Sequence, residues 1–226
     1  MTKILSTLPK PSALASPCSH LNSHLKLAPP RTFNLQSSFG QQRRHFSPTS
    51  ACLFPKAISK GDTIPNTTFT YVPWTPELEG GKACGAPTKI QTHDEFKGKK
   101  VVIVSVPGAY TPTCHVNHIP PFIQKVNEFK AKGVDQIYVI AQNDPFVMSA
   151  WGNTSEAKDK VIFATDLNLE FSKEIDALAD LSAVGFGLRT GRYALIADDL
   201  KVVDFAVETS PGVADVSSAE TVLGKL

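Results

Sequence analysis

Residues 101–114 read VVIVSVPGAYTPTC, and this stretch decides more about the fold than any other part of the chain. Its first six residues are rich in β-branched side chains, which is typical of a buried strand. The Pro-Gly pair that follows predicts a turn, after which Thr111 is placed to cap a helix and Pro112 to open it. Counting from that cap, Cys114 falls at the third position of the predicted helix.

A cysteine in the first turn of a helix lies where a thiolate is stabilised. Unpaired backbone N–H groups and the positive end of the helix dipole both favour an anion there. A helix terminus contributes about 1 kcal/mol, whereas lowering a thiol pKa by about two units requires about 3 kcal/mol. We therefore expect a cation near Cys114. The alternative is that Cys114 is a small core residue behind a buried strand.

The composition indicates one folded domain preceded by a targeting segment. The chain has 226 residues, 42% of them hydrophobic, and no apolar run approaches the roughly 20 residues that a membrane helix requires. Residues 1–61 carry eight Lys or Arg and no Asp or Glu, whereas residues 62–226 carry fifteen basic and twenty-one acidic side chains. We expect a folded domain at 61–226, an organellar presequence with a flexible tail at 1–60, and no membrane partner.

The N-terminal sequence favours the mitochondrial matrix as the destination. Arg44 lies shortly before Phe46 and Ser47, and this arrangement looks like a mitochondrial cleavage site with the cut after Phe46. A chloroplast transit peptide shares the same composition and stays open as an alternative. The basic residues are scattered, which disfavours a nucleic-acid-binding arm, because such arms usually carry a block of like charges.

Along 61–226, apolar runs alternate with helical segments. Strands are predicted at 67–72, 101–106, 136–141, 161–164, 193–197 and 202–207, the last two forming a hairpin. Helices are predicted at 112–132, 145–151 and 170–177, and the first should kink at Pro120-Pro121 and end at Gly133. Ser217 and Glu220 form a capping box for a last helix. This order predicts an α/β fold with a mixed central sheet.

Pro107, Thr111 and Cys114 match the pattern Pro-x-x-x-Thr-x-x-Cys, which resembles the active-site signature of peroxiredoxins. The surrounding VPGAYTPTCHVNHIPPF is similar to the type II, or peroxiredoxin-5-like, branch of that family. Further family-like stretches are NDPFVMSAW (143–151), GRYALIADD (191–199) and SSAETVL (217–223). The resemblance implies a thioredoxin-like fold whose mixed central sheet is flanked by helices, and a thiol peroxidase that uses no cofactor and no metal.

The resemblance also implies roles for the residues around Cys114, which would attack hydrogen peroxide or an alkyl hydroperoxide as a thiolate. Pro107 would fix the loop and shield the sulfur from water. The Thr111 hydroxyl would orient the peroxide in addition to capping the helix. In the family an Arg before the corresponding strand contacts the reactive sulfur, and this position falls on Arg192. Arg189 is the reserve candidate.

A second cysteine should resolve the resulting sulfenic acid as a disulfide. Cys84 lies in ELEGGKACGAP, which resembles fungal members whose upstream cysteine pairs with the peroxidatic one. Plant members carry their second cysteine where this chain has Val139, so the chain departs from the plant pattern. Cys18 and Cys52 fall in the predicted N-terminal segment. Thioredoxin, or glutaredoxin with glutathione, would reduce the disulfide, and a homodimer is expected.

Other functions stay open at this stage. A peroxide-sensing redox-signalling protein with little turnover would share the same thiol, and a basic-arm protein would instead bind nucleic acid. Cys114 and His118 stand at helical i, i+4 spacing, which allows a zinc site or a Cys–His hydrolase. His115 lies in the same stretch, but a zinc site normally has four ligands, and no second Cys or His pair stands at ligand spacing near Cys114 and His118. His118 would also be poorly aimed as a base, because both side chains point along the helix.

Overall fold

A computed structural model describes residues 57–226 of the chain. The strands in this part are Thr68–Tyr71 (β1), Thr88–Gln91 (β2), Lys100–Ser105 (β3), Gln136–Ala141 (β4), Val161–Thr165 (β5), Leu178–Leu181 (β6), Gly187–Thr190 (β7), Tyr193–Asp198 (β8) and Lys201–Val207 (β9). The α-helices are Thr92–Phe96 (α1), Ile119–Gln124 (α2), Val126–Ala131 (α3), Pro145–Thr154 (α4), Glu170–Glu174 (α5) and Ala219–Lys225 (α6). None of these helices is long and apolar enough to cross a membrane. The predicted presequence, Cys18 and Cys52 lie outside the described residues.

Seven of these strands form one mixed sheet in the order β2-β1-β5-β4-β3-β8-β9. β3, β4 and β5 are parallel to one another, whereas β3 with β8 and β8 with β9 are antiparallel. β6 and β7 form a separate antiparallel pair. The predicted α/β fold with a mixed central sheet is therefore confirmed, and so is the hairpin near its end, which is β8 and β9.

The central strand β3 is buried on both faces of the sheet, as its run of β-branched residues predicts. Val102 and Val104 point to the face covered by α2, α3, α4 and α6, whereas Val101 and Ile103 point to the face covered by α1 and α5. Each fully buried side chain of this size contributes about 1.5–3 kcal/mol relative to exposure. This burial fixes the position of the end of β3, where the loop that leads to Cys114 begins.

The prediction of one kinked helix over 112–132 is wrong. The chain forms a π-helical turn at Thr113–His118, then α2, then α3, with a break at Lys125. In the π-helical turn the Ile119 amide donates to the Cys114 carbonyl five residues earlier. Two prolines without N–H groups follow at once, so the regular i to i−4 ladder cannot continue through them. Gly133 has φ 82° just past α3, where the prediction placed the helix end.

The predicted capping box before the last helix is also wrong by one residue. Ser218, not Ser217, is the N-cap of α6, and its hydroxyl accepts a hydrogen bond from the Thr221 amide. Ser217 is instead bound by Glu208 at the end of β9, and Glu220 pairs with a lysine before α3. The Ser217 hydroxyl therefore binds Glu208 and does not cap α6.

Candidate active site

The loop after β3 carries Cys114 to a buried position at the carboxyl ends of the parallel strands. Val106 donates its N–H to a carbonyl of β4, and its own carbonyl accepts from the Thr190 hydroxyl at 2.6 Å. Further along, the Ala109 amide donates to Asn143 Oδ1 at 2.9 Å. These bonds fix the loop at both ends, and the Cys114 side chain that follows it is only 1% exposed.

Arg192 lies directly against the sulfur. It precedes β8, is 3% exposed, and donates from Nη2 to Cys114 Sγ at 3.2 Å. The Pro211 carbonyl accepts from Nη2 at 2.6 Å and from Nε at 3.2 Å. Arg189, the reserve candidate, instead donates to the Phe186 carbonyl at 2.9 Å. Of the two arginines, Arg192 is therefore the one that supplies positive charge at the thiol.

Thr111 and Pro107 both border the same loop. The Thr111 hydroxyl donates to the Gly108 carbonyl at 2.9 Å and does not bind a helix N–H group, so the predicted capping duty is wrong. Because its one proton is used in that bond, the lone pairs of the hydroxyl stay free to accept a hydrogen bond. The Pro107 carbonyl accepts a long bond of 3.5 Å from Arg189 Nη1, which ties the loop to β7.

His118 faces Arg192 rather than a metal. Arg192 Nη1 lies 3.0 Å from His118 Nδ1, and His118 Nε2 lies 2.8 Å from the Ser217 carbonyl. Burial, with the Arg192 charge as a second cause, lowers the pKa of His118 from 6.5 to about 4, so the imidazole is neutral at physiological pH. Residues 57–226 contain no group of three or more Cys, His, Asp or Glu side chains that could hold a metal ion.

A second histidine ties the turn that carries Cys114 to α4. His115 Nδ1 accepts a hydrogen bond from Trp151 Nε1 at 2.8 Å. Tyr110, whose φ is 57°, lies over His115 and shares a 3.1 Å hydrogen bond with the Thr154 hydroxyl. One side-chain hydrogen bond from α4 therefore holds this turn, and a second holds Tyr110 in the loop that precedes it.

The structure does not bring Cys84 to Cys114. Both thiols are free, but Cys84 is exposed whereas Cys114 is buried. Cys84 lies in a surface groove of about 270 Å³ beside Phe146, Ala150 and Thr154 of α4. The Thr154 hydroxyl is the one that binds Tyr110, so α4 connects the groove to the loop that precedes the Cys114 turn. A disulfide between the two sulfurs therefore requires a rearrangement that exposes Cys114 to Cys84.

Some site residues carry no signal in the sequence. Pro211 acts through its backbone carbonyl, and any residue type could provide that acceptor. Glu208 and Ser217 meet because the segment after β9 folds back, which a local pattern cannot reveal. Asn143 lies in NDPFVMSAW, a stretch that marks the family resemblance without indicating that its amide holds the Cys114 loop.

Comparison with known proteins identifies the family of the chain. The Redoxin family model matches residues 59–223. A Malassezia furfur peroxiredoxin is 61% identical over 173 residues, which is 76% of this chain and 98% of the relative. The structure of reduced Prx3 from Vibrio vulnificus in complex with hydrogen peroxide is similar, with a TM-score of 0.65, 38% identity, and coverage of 74% of this chain and 98% of that one.

The type II resemblance has a structural counterpart. Peroxiredoxin 5 from Alvinella pompejana aligns with a TM-score of 0.60 and 31% identity, covering 74% of this chain and 97% of that chain. The expected thioredoxin-like fold is confirmed by these matches. The family model matches nearly all of the described residues, and the Malassezia furfur relative is matched over 98% of its own length. The chain belongs to the peroxiredoxins, the thiol peroxidases of the redoxin family.

Proposed function

We propose that the protein reduces hydrogen peroxide and alkyl hydroperoxides at Cys114, and thereby serves antioxidant defence and cell redox homeostasis. The observation that supports this most directly is the 3.2 Å hydrogen bond from Arg192 Nη2 to Cys114 Sγ, which joins two buried side chains. A guanidinium fixed there places a positive charge beside the sulfur that would attack the peroxide. It also stabilises the negative charge that develops on the departing oxygen of the peroxide.

The reaction needs a nucleophile, a hydrogen-bond acceptor that orients the peroxide, and a cation that stabilises the leaving oxygen. The Cys114 thiolate attacks the terminal oxygen of the peroxide, so that an S–O bond forms as the O–O bond breaks. The sulfur is oxidised to a sulfenic acid, and the leaving oxygen takes the electron pair and then a proton from solvent, giving water or an alcohol. Arg192 stabilises the leaving oxygen, while a lone pair of the Thr111 hydroxyl accepts a hydrogen bond from the peroxide O–H and so orients the peroxide. Pro107 keeps bulk water from the sulfur.

Cys84 is proposed as the resolving cysteine. Its thiol would attack the sulfenic sulfur, forming a disulfide and releasing water. Because Cys84 is exposed and Cys114 is buried, the turn Thr113–His118 would open first. The disulfide would then be accessible to thioredoxin, or to glutaredoxin with glutathione, which would return both thiols.

We also propose that the protein is mitochondrial, with the chloroplast as the alternative location, and that it forms a homodimer. The location rests on the acid-free, basic sequence before residue 62. The dimer rests on the family resemblance, and Tyr110, Val116 and Phe146 offer exposed apolar surface on the Cys114 turn and α4. Removing residues 1–46 should leave the peroxidase active but keep it in the cytosol, which cell fractionation would detect.

The decisive experiment replaces the nucleophile. Cys114→Ser should abolish peroxide consumption with a thioredoxin system, whereas Cys52→Ser should retain it. Mass mapping after one equivalent of peroxide should show a disulfide between Cys84 and Cys114. Peroxide consumption that persists in Cys114→Ser would rule out the proposed chemistry.

A further inference from the structure

Behind Arg192 a line of hydrogen bonds leads away from the sulfur to a carboxylate with no assigned role. His118 binds Arg192 on one side of its ring and the Ser217 carbonyl on the other. The Ser217 amide and hydroxyl both donate to Glu208 Oε1, at 2.8 and 2.7 Å. Arg192, His118 and Ser217 are all buried, whereas Glu208 is half-buried at the end of β9.

The directions of these bonds fix the state of the imidazole. A guanidinium can only donate, so His118 Nδ1 must present its lone pair to Arg192. A carbonyl can only accept, so the ring proton must sit on Nε2 and point at Ser217. The carbonyl of Ser217 thereby selects the tautomer that accepts from Arg192. A displacement of the Ser217 carbonyl would therefore move or re-protonate His118, which is the partner of Arg192 Nη1.

Glu208 controls the segment in which that carbonyl lies. Residues 208–217 leave β9 and return to α6, and the two hydrogen bonds between Glu208 and Ser217 join their ends. The Pro211 carbonyl, which accepts from Arg192 Nε and Nη2, lies inside the same segment. The Glu208 amide also donates to the Arg192 carbonyl at 2.9 Å. Two partners of the guanidinium, His118 and the Pro211 carbonyl, therefore depend on the segment that the Glu208 carboxylate closes.

We propose that Glu208 is a positioning residue that, by closing the segment 208–217, aims the Arg192 guanidinium at Cys114. It touches neither the sulfur nor the guanidinium and acts through Ser217, His118 and Pro211. This inference rests on the proposed function of Arg192 at the thiolate. It adds a residue outside the reacting groups on which their geometry depends.

The test compares Glu208→Ala with Glu208→Gln in the full chain. The amide oxygen of Gln can still accept from Ser217, whereas Ala removes the acceptor. Glu208→Ala should slow the oxidation of Cys114 by peroxide about tenfold, as expected for loss of a charge-assisted hydrogen bond, and Glu208→Gln should recover most of that loss. Glu174→Ala, which removes an exposed carboxylate from α5, is the matched control and should match the unmodified chain.

A second measurement separates positioning from general destabilisation. Peptide-resolved alkylation of Cys114 by iodoacetamide across pH reports how well the thiolate is stabilised, whether or not peroxide is the substrate. The midpoint of this pH profile should move upward in Glu208→Ala. The shift should disappear when Glu208→Ala is made in Arg192→Ala, because the carboxylate acts only through that side chain.

Several results would overturn the proposal. An alkylation profile unchanged in Glu208→Ala would do so, and so would effects of Glu208→Ala and Arg192→Ala that simply add. If Glu208→Ala does not fold, Ser217→Ala serves instead. It removes the hydroxyl that donates to Glu208 at 2.7 Å and lies 3.2 Å from His118 Nε2, and it keeps the carbonyl that binds His118 at 2.8 Å. That variant should show a smaller shift in the same direction, and no shift would count against the proposal. Lack of peroxide consumption by the unmodified chain would refute the proposed function alone.

Discussion

Every nitrogen of the Arg192 guanidinium is engaged, which explains why this side chain points at the sulfur. Nε and Nη2 donate to the Pro211 carbonyl, Nη1 meets His118, and Nη2 also reaches Cys114 Sγ. Because the guanidinium is planar, it cannot turn away without breaking several of these bonds. Arg189 is chemically identical and stands three residues earlier. Sequence alone could not separate the two, and only the family resemblance favoured Arg192.

Replacing each arginine by alanine should reveal the difference. Arg192→Ala should slow the oxidation of Cys114 by about 100-fold, since one such electrostatic group supplies about 3 kcal/mol. Arg189→Ala should change the rate much less, because that side chain binds backbone carbonyls and not the sulfur. Stopped-flow fluorescence of the purified variants gives both rates. A large loss in Arg189→Ala with a normal rate in Arg192→Ala would reverse the assignment.

The neutral state of His118 predicts an acid-sensitive fold. Its pKa is about 4 in the folded protein and 6.5 in the unfolded chain, so between these values the unfolded state binds more protons. The free energy of unfolding should therefore fall as the pH drops below 6.5, and His118 alone should account for about 2 kcal/mol between pH 7 and pH 5. Urea unfolding at the two pH values measures this loss. His118→Gln should lose less stability over that interval, and an equal loss would contradict the prediction.

At the scale of elements, six strands were predictable, whereas β2, β6, β7 and the turn that carries the thiol were not. Each core strand has an apolar run bounded by Gly, Pro, Asn or Asp, and such signals are local. β2 and β6 are four residues long and largely polar or half-exposed, so their pairing depends on distant partners. The π-helical turn is followed by two prolines without N–H groups, and hydrogen bonds from α4 hold both His115 in the turn and Tyr110 before it. The sequence of residues 112–121 cannot predict those contacts, because their partners lie in α4.

Loosening that turn should speed resolution. His115→Leu removes the acceptor of the Trp151 N–H, and loss of a hydrogen bond of about 1 kcal/mol would raise the open population roughly fivefold. Disulfide formation after a single peroxide pulse should become faster, and less sulfinic acid should accumulate at high peroxide. Val116→Ala changes an exposed side chain in the same turn and is the control. Mass spectrometry of quenched samples gives both fractions, and faster sulfinic acid formation in His115→Leu would contradict the idea.

At the scale of the whole molecule, the site joins segments that are far apart in the chain. Arg192 lies 78 residues after Cys114, and Ser217 lies 99 residues after His118. The α/β order predicts that β3 and the last strands share one sheet, so the approach of Cys114 and the residues before β8 follows from the topology. The return of the segment after β9 onto His118 does not. For Cys84 the sequence predicts more than the structure shows. It predicts a disulfide with Cys114, whereas in the reduced fold Cys84 is exposed and Cys114 is buried.

That separation gives a prediction about Cys84 itself. Cys84→Ser should leave the first oxidation of Cys114 unchanged, because the thiol, the turn and Arg192 are all untouched. Turnover with thioredoxin should fall sharply, since the sulfenic acid would meet no protein thiol and would advance to sulfinic acid in excess peroxide. Coupled assays with thioredoxin and with glutathione plus glutaredoxin measure the two routes, and the second should partly rescue the variant because a small thiol can replace Cys84. If turnover with thioredoxin survived in Cys84→Ser and vanished in Cys52→Ser, resolution would belong to the N-terminal segment.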